Sequence, residues 1–216
     1  MVSFEAIGIQ KSFGAVRALR NASLKFSGAQ ICGLVGANGS GKTTFANICC
    51  GLYKADCGTV LIDENEVKID TPFDANEYGI VLAHQNLSLA PDLTVWENIK
   101  LGHEKPKAGL FLDNEHARSE AQRILDDLIP GEIPLDTKAE DLGPAHKQMV
   151  EIAKAISQDP KLLILDEPTA ALTSGESERL FKVIGELVRQ GAGVLYVSHR
   201  MPEFIIILLE MINIYH

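Results

Sequence analysis

The feature that most restricts the fold of this chain is a glycine-rich octapeptide between a predicted strand and a predicted helix. Residues 36–43 read GANGSGKT and fit the pattern G-x-x-x-x-G-K-[ST]. Residues 30–35 predict a short apolar strand, and residues 43–50 predict a helix that ends at Gly51. Glycines let several backbone amides converge on one anion, and the helix adds the positive end of its dipole. The sequence therefore predicts a phosphate-binding loop.

The side chains of this loop suggest which residues would contact a nucleoside triphosphate and which would hold a divalent cation. Lys42 is predicted to reach the β- and γ-phosphates, and the hydroxyl of Thr43 to hold Mg²⁺. The full set of residues predicted to contact the nucleotide from this segment is Gly36, Asn38, Gly39, Ser40, Gly41, Lys42, Thr43 and Thr44.

A second acidic motif supplies the other half of the predicted site. Residues 162–167 read LLILDE, four aliphatic residues followed by two carboxylates. Such a run is consistent with a strand buried on both faces that delivers Asp166 at its tip, where it can bind Mg²⁺ through water. Glu167 follows as a carboxylate that can polarise an attacking water. A glutamate here, rather than glutamine or serine, favours hydrolysis over nucleotide binding alone.

The order of predicted elements indicates an α/β fold. Strands near the N-terminus alternate in polarity, and further strands are predicted at 57–62 and 79–83. A helical pattern then covers residues 87–158, with candidate helices at 93–101, 114–129 and 145–157, and strand–helix–strand follows, with Thr173 and Glu176 as a capping box. This order points to a mainly parallel α/β core that carries a helical insertion. The predicted organisation is one domain over residues 1–216, with the core at 1–86 and 158–216 and the helical subdomain at about 87–157.

Composition narrows the classes of function. The 216 residues are 46% hydrophobic and carry a net charge of −9, without a block of lysine or arginine, so we expect no nucleic-acid partner. The longest apolar run, residues 204–209, is well short of the roughly 18–20 residues that cross a bilayer. The four cysteines show no C-x-x-C spacing and are interpreted as small buried residues in a reducing compartment.

With these motifs in place, the chain resembles the ATPase subunits of ABC transporters over residues 3–203. The sequence ILDEPTAAL at 164–172 is similar to the family's acidic strand and the loop after it. The resemblance implies an α/β P-loop NTPase fold with a RecA-like, mainly parallel sheet core, an N-terminal antiparallel β subdomain and an inserted helical subdomain. It implies ATP and Mg²⁺ as ligands. It also implies that Gln85 approaches the metal and the attacking water, that His199 contacts the γ-phosphate, and that Phe13 stacks on adenine.

Residues 83–99 and 148–155 resemble more narrowly the importers of ribose, galactose and xylose. That resemblance implies an ATP-hydrolysing subunit that powers import of a small solute, such as a monosaccharide. It implies a second nucleotide-binding domain as partner (a homodimer, heterodimer or tandem half), an integral membrane permease and, indirectly, a solute-binding protein. The expected location is cytoplasmic, on the inner face of the cell membrane, and the chain would be the first half of a tandem protein.

The sequence departs from the family pattern at two places. Where the family has a loop close to LSGGQ, residues 142–146 read LGPAH, which removes a hydroxyl at Gly143 and an amide donor at Pro144. We expect the composite site that this loop completes on a partner to be weak or silent, while the chain's own site stays active. After residue 204 the chain is almost wholly apolar, which fits either a buried terminal element or a truncated product.

Two alternatives from other classes share the nucleotide motifs. A soluble, non-transport ABC-type ATPase acting on ribosomes or DNA should show basic patches or further domains. A nucleotide-binding regulatory subunit with impaired hydrolysis would account for the altered loop at 142–146, although Glu167 and His199 are intact.

Overall fold

A computed structural model describes residues 3–83, 88–102, 106–107, 111–112, 114–200 and 205. Its strands are β1 (Ser3–Phe13), β2 (Val16–Ser27), β3 (Ile31–Val35), β4 (Cys57–Ile62), β5 (Asn65–Val67), β6 (Ile80–Ala83), β7 (Pro106–Lys107), β8 (Phe111–Leu112), β9 (Leu162–Asp166) and β10 (Gly193–Ser198). Its helices are α1 (Lys42–Cys49), α2 (Pro72–Glu77), α3 (Val95–Lys100), α4 (Asn114–Leu128), α5 (Pro144–Ile156) and α6 (Ser174–Arg189), with a 3₁₀ turn at Ala139–Asp141.

The chain divides into two compact units. The first comprises Met1–Leu82, Pro160–Glu167 and Ile184–His216, and the second comprises Ala83–Asp159 and Pro168–Val183. The predicted division into a core and a helical subdomain stays a prediction. Among the described residues, no helix is long and apolar enough to cross a membrane.

The first unit contains the two larger sheets. One has the order β2-β1-β4-β5, and its strands pair antiparallel, which confirms the predicted antiparallel region. The other has the order β3-β10-β9-β6, with β10 parallel to both β3 and β9. All five residues of β9 are buried, as its aliphatic run predicts for a strand covered on both faces. The predicted fold class is confirmed.

The second unit contains a packed group of three helices, α3, α4 and α5. The apolar faces of these helices bury Ile99, Leu125 and Met149, which are at most 1% exposed. Within the stretch that the sequence pattern reads as helical, β7 and β8 form a short hairpin. The helices predicted at 93–101, 114–129 and 145–157 are present as α3, α4 and α5. The two strands of the hairpin lie between the first two of these helices and were not predicted, because two-residue strands are too short to show a period of their own.

Candidate nucleotide site

Three neighbouring strands of the mainly parallel sheet, β3, β10 and β9, bring separate sequence motifs to one edge. In the register, Val35 of β3 lies opposite Ser198 of β10, and Val197 of β10 lies opposite Asp166 of β9. The amide of Gly36 donates to the carbonyl of Ser198 at 3.4 Å, just beyond these strand ends. The glycine-rich loop, the two carboxylates and His199 thus follow the carboxyl ends of three neighbouring strands, which is where open α/β sheets place their ligands.

The glycine-rich loop lies between β3 and α1, as predicted. Gly41 has φ +93°, and a Cβ built on it would lie 2.6 Å from the carbonyl oxygen of Ala18 and 2.8 Å from Cδ2 of Leu19. Both the backbone conformation and the close approach of β2 therefore require glycine at this position. Residues 37–40 are exposed, so the loop faces solvent.

Lys42 is the residue of this loop that the structure buries. The residue is 9% exposed, and its Nζ donates to the carbonyls of Gly36 at 2.7 Å and Ala37 at 3.0 Å. These bonds hold the ammonium group across the loop, where it can exchange carbonyl partners for the oxygens of an anion. Thr43, the predicted Mg²⁺ ligand, is exposed in the first turn of α1.

The two carboxylates at the end of β9 are both buried, and their surroundings differ. Asp166 ends the strand and is 3% exposed. Glu167 follows with φ +51°, a left-handed conformation that is uncommon for a residue with a side chain and marks local strain. The amide of Glu167 donates to the carbonyl of Val197 at 2.9 Å, which ties this strained residue to β10.

Glu167 and His199 form a close pair. Nδ1 of His199 lies 2.8 Å from each of the two carboxylate oxygens of Glu167. The Glu167 side chain is 10% exposed and that of His199 is 39% exposed, so the imidazole lies on the solvent side of the pair. The structure therefore brings together two residues that the sequence analysis placed in the site separately.

The predicted adenine-stacking residue belongs to a small aromatic surface. Phe13 is 45% exposed, and its ring meets that of Tyr53 edge to face, with centroids 5.4 Å apart. Nζ of Lys11 lies 5.5 Å from the Phe13 centroid and also pairs with Asp56 at 2.9 Å. The hydrogen bond from Lys11 lowers the pKa of Asp56. Sequence reasoning missed Tyr53, and its only signal was an aromatic residue just after the end of α1.

Gln85 lies outside the described residues, so its predicted role stays a prediction. The same is true of the apolar stretch after residue 205. Of the four cysteines, Cys49 and Cys50 are buried as interpreted from the sequence, but Cys57 is exposed. Burial raises the pKa of the Cys50 thiol to about 11, which keeps it protonated at neutral pH.

The altered loop at 142–146 leads into α5 in the second unit. Gly143 is the N-cap, with an extended backbone, and Pro144 is the first helical residue. Proline suits that position because its φ is already helical, but it brings no N–H. The first helical bond runs from the amide of Lys147 to the carbonyl of Gly143 at 2.9 Å. Only the amides of Ala145 and His146 precede it in the first turn.

Beyond this loop, α5 carries buried polar side chains. Glu151 is 2% exposed, and its Oε1 accepts a hydrogen bond from the Ser88 hydroxyl at 2.8 Å. Oε2 of Glu151 and Nε2 of Gln148 are buried and make no hydrogen bond to any residue that the structure describes. The hydrogen bond from Ser88 therefore satisfies one oxygen of this buried carboxylate, and it anchors residue 88 to α5.

The sequence of this chain also matches a family of known proteins. The family model described as "ABC transporter" matches residues 19–170, which is more than half of the chain. The chain belongs to the ABC transporter family.

Several relatives and solved structures are similar to this ABC chain. The ribose import ATP-binding protein RbsA of Clostridium tetani is 46% identical over 198 residues, and that of Chromobacterium violaceum is 42% identical over 196. Each alignment covers 91% of this chain and 39% of the relative, so the chain spans about two fifths of the length of these relatives.

Solved ATP-binding cassettes share the fold. A nucleotide-free cassette from an ABC transporter superposes with a TM-score of 0.81 at 29% identity, covering 95% of this chain and 84% of that one. A dimeric cassette in a post-hydrolysis state, bound to ADP and Pi, gives a TM-score of 0.80 at 27% identity, covering 94% and 90%.

Proposed function

We propose that this chain binds and hydrolyses ATP and thereby powers the import of a small solute, such as a monosaccharide, through a membrane permease. The observation that carries the proposal is the meeting of the phosphate loop, Asp166 and the Glu167–His199 pair at the ends of adjacent strands. The sugar-import assignment is supported by the ribose-import relatives.

In this proposal the phosphates bind in the loop and at the start of α1. The residues that would contact them are Gly36, Asn38, Gly39, Ser40, Gly41, Lys42, Thr43 and Thr44. The donor set fits an anion, because Lys42 already holds two carbonyl oxygens that phosphate oxygens can replace. Phe13 and Tyr53 together offer the adenine a stacking surface.

A divalent cation fits the same edge of the sheet. The hydroxyl of Thr43 and the buried carboxylate of Asp166 are oxygen ligands of the kind that Mg²⁺ prefers, and Gln85 is proposed as a further contact. When bound, the ion would neutralise charge that develops on the phosphates.

Glu167 is proposed to take the proton from the attacking water. As the water oxygen bonds to the γ-phosphorus, the bond to the β–γ bridging oxygen breaks and ADP leaves. Nδ1 of His199 lies 2.8 Å from both oxygens of Glu167. His199 is therefore proposed to orient this base, and to contact the γ-phosphate when the pair separates.

The proposed partners are a second nucleotide-binding domain, an integral permease and, indirectly, a solute-binding protein, with the chain on the inner face of the membrane. We test nucleotide binding by calorimetry of the full chain with ATP, with and without Mg²⁺. Magnesium-dependent heat that disappears in Lys42→Ala is the expected result. An absence of that heat from folded protein contradicts the proposal.

A second candidate is a regulatory subunit that binds ATP without turning it over. It is favoured by Pro144 at the start of α5, since that loop offers no amide there and no hydroxyl at Gly143. Phosphate release measured with the permease and second domain present separates the two. Release that depends on Glu167 supports the ATPase, and bound but uncleaved ATP supports the regulatory subunit.

A further inference from the structure

Outside the nucleotide site, one histidine and two glutamates from separate segments come together in the second unit. Glu132 follows α4, His146 lies in the first turn of α5, and Glu176 lies in the first turn of α6. A ring nitrogen of His146 and one carboxylate oxygen from each glutamate all lie within 4.8 Å of one another. We infer that these three side chains form a binding site for a transition-metal dication of the Zn²⁺ class.

The separations suit such an ion after a small adjustment of the side chains. Nε2 of His146 is 3.7 Å from Oε2 of Glu132. Tetrahedral ligands at about 2.0–2.1 Å from Zn²⁺ lie about 3.3–3.4 Å apart. All three side chains are partly exposed, so rotation about their outer bonds can close the remaining gap without moving the backbone.

Each carboxylate is oriented through one of its oxygens by another group. Nη1 of Arg179 donates to Oε1 of Glu132 at 2.8 Å, and Oε2 of that glutamate is the oxygen near His146. The amide and hydroxyl of Thr173 donate to Oε2 of Glu176 at 2.6 and 2.7 Å, which leaves Oε1 for coordination. Outer contacts of this kind fix the direction of metal ligands.

The charges favour a cation. Two carboxylates against the guanidinium of Arg179 leave an excess of negative charge beside the imidazole. One nitrogen and two oxygen ligands suit Zn²⁺, Co²⁺ or Ni²⁺ better than Mg²⁺, which prefers oxygen alone. A bound ion would join the starts of α5 and α6 to the segment after α4.

The test titrates the full, nucleotide-free chain with Zn²⁺ by calorimetry and with Co²⁺ by visible absorption, in a Cys57→Ser background that removes the exposed thiol. His146→Gln keeps a side chain of similar length without the imidazole, and it should weaken binding at least tenfold. His116→Gln, on α4, is the matched control and should leave the affinity within twofold.

Glu132→Gln provides a second variant if His146→Gln fails to fold, as judged by circular dichroism, and it should also weaken binding at least tenfold. Zn²⁺ should raise the unfolding temperature of the parent chain and not that of the binding-deficient variant. The inference is overturned if the parent binds no stoichiometric Zn²⁺, or if the folded variant binds as tightly as the His116→Gln control.

Discussion

Two helices of this molecule begin after a glycine and present very different first turns. At α1, Gly41 precedes Lys42, Thr43 and Thr44, and the first helical bond runs from the amide of Phe45 to Gly41 at 2.8 Å. At α5, Gly143 precedes Pro144, and the first helical bond comes from Lys147. Since glycine has no side chain, neither start is capped by its own N-cap residue.

The difference lies in what each start offers an anion. The first turn of α1 has three amides before its first helical bond, two threonine hydroxyls and a buried ammonium group, whereas that of α5 has two amides and a proline ring. A helix dipole is common to both and therefore cannot decide the function. In the proposed function, the side chains and amides of the first turn therefore distinguish the phosphate-binding helix start from the other one.

The largest expected effect comes from the base proposed beside α1. Glu167→Gln should lower ATP turnover by about 10²–10⁴-fold, because the amide cannot accept the proton of the attacking water. ATP binding by calorimetry should persist. Phosphate release at the parental rate would remove Glu167 from the proposed role.

Lys42→Ala tests the start of α1 directly. Loss of the ammonium group should reduce turnover by about 10²–10³-fold, as for other preorganised charges at a transferring group, and should also weaken ATP binding. Lys161→Ala, an exposed lysine before β9, is the matched control and should bind ATP normally. Equal binding by the Lys42 and Lys161 variants would contradict the proposed phosphate contact.

The start of α5 can be converted toward that of α1. Changing residues 143–146 to SGGQ restores a hydroxyl and an amide, and a Cβ added at Gly143 meets no heavy atom of the described residues within 4 Å. In the assembled transporter, turnover should rise by about tenfold or more at the composite site that this loop completes. Gly143→Ser and Pro144→Gly, made singly, separate the two contributions. Unchanged turnover and unchanged nucleotide-driven closure would show that this loop does not limit the partner's site.

A smaller effect, on stability and not on turnover, is expected at the hydrogen bond between Ser88 and Glu151 of α5. Ser88→Ala removes the hydrogen bond to a carboxylate that is 2% exposed, which should cost about 1–3 kcal/mol in the free energy of unfolding. Chemical denaturation measures this loss. Ser23→Ala, at an exposed hydroxyl that accepts from Gly8, is the control and should cost less.

The smallest expected effect is at a helix start that has its own cap. In α2, the Thr71 hydroxyl accepts from the Asp74 amide, and the Asp74 carboxylate accepts from the amides of Thr71 and Asp70. Thr71→Ala should cost about 1 kcal/mol of stability without altering ATP binding. The hydrogen bond from the Asp70 amide, and after it those of Thr71, lower the pKa of Asp74. The stability that the ionised Asp74 carboxylate contributes should therefore be lost as the pH falls through that lowered pKa.

Local signals in the sequence were sufficient for much of the fold. The residues of β4 and the box formed by Thr173 and Glu176 were predicted as the structure has them. In contrast, β5 and α2 were missed, because three and six residues are too few to show a period. For α2 the cap at Thr71 and the proline after it were an available signal.

By itself, the sequence determined the phosphate loop and the acidic strand end, since each is written in consecutive residues whose backbone or burial preferences act locally. Only the tertiary structure decided that His199 holds both oxygens of Glu167, that Tyr53 joins Phe13, and that His146 meets Glu132 and Glu176. These contacts join residues far apart in the chain. They depend on strand order, register and helix packing, which no short stretch of sequence encodes.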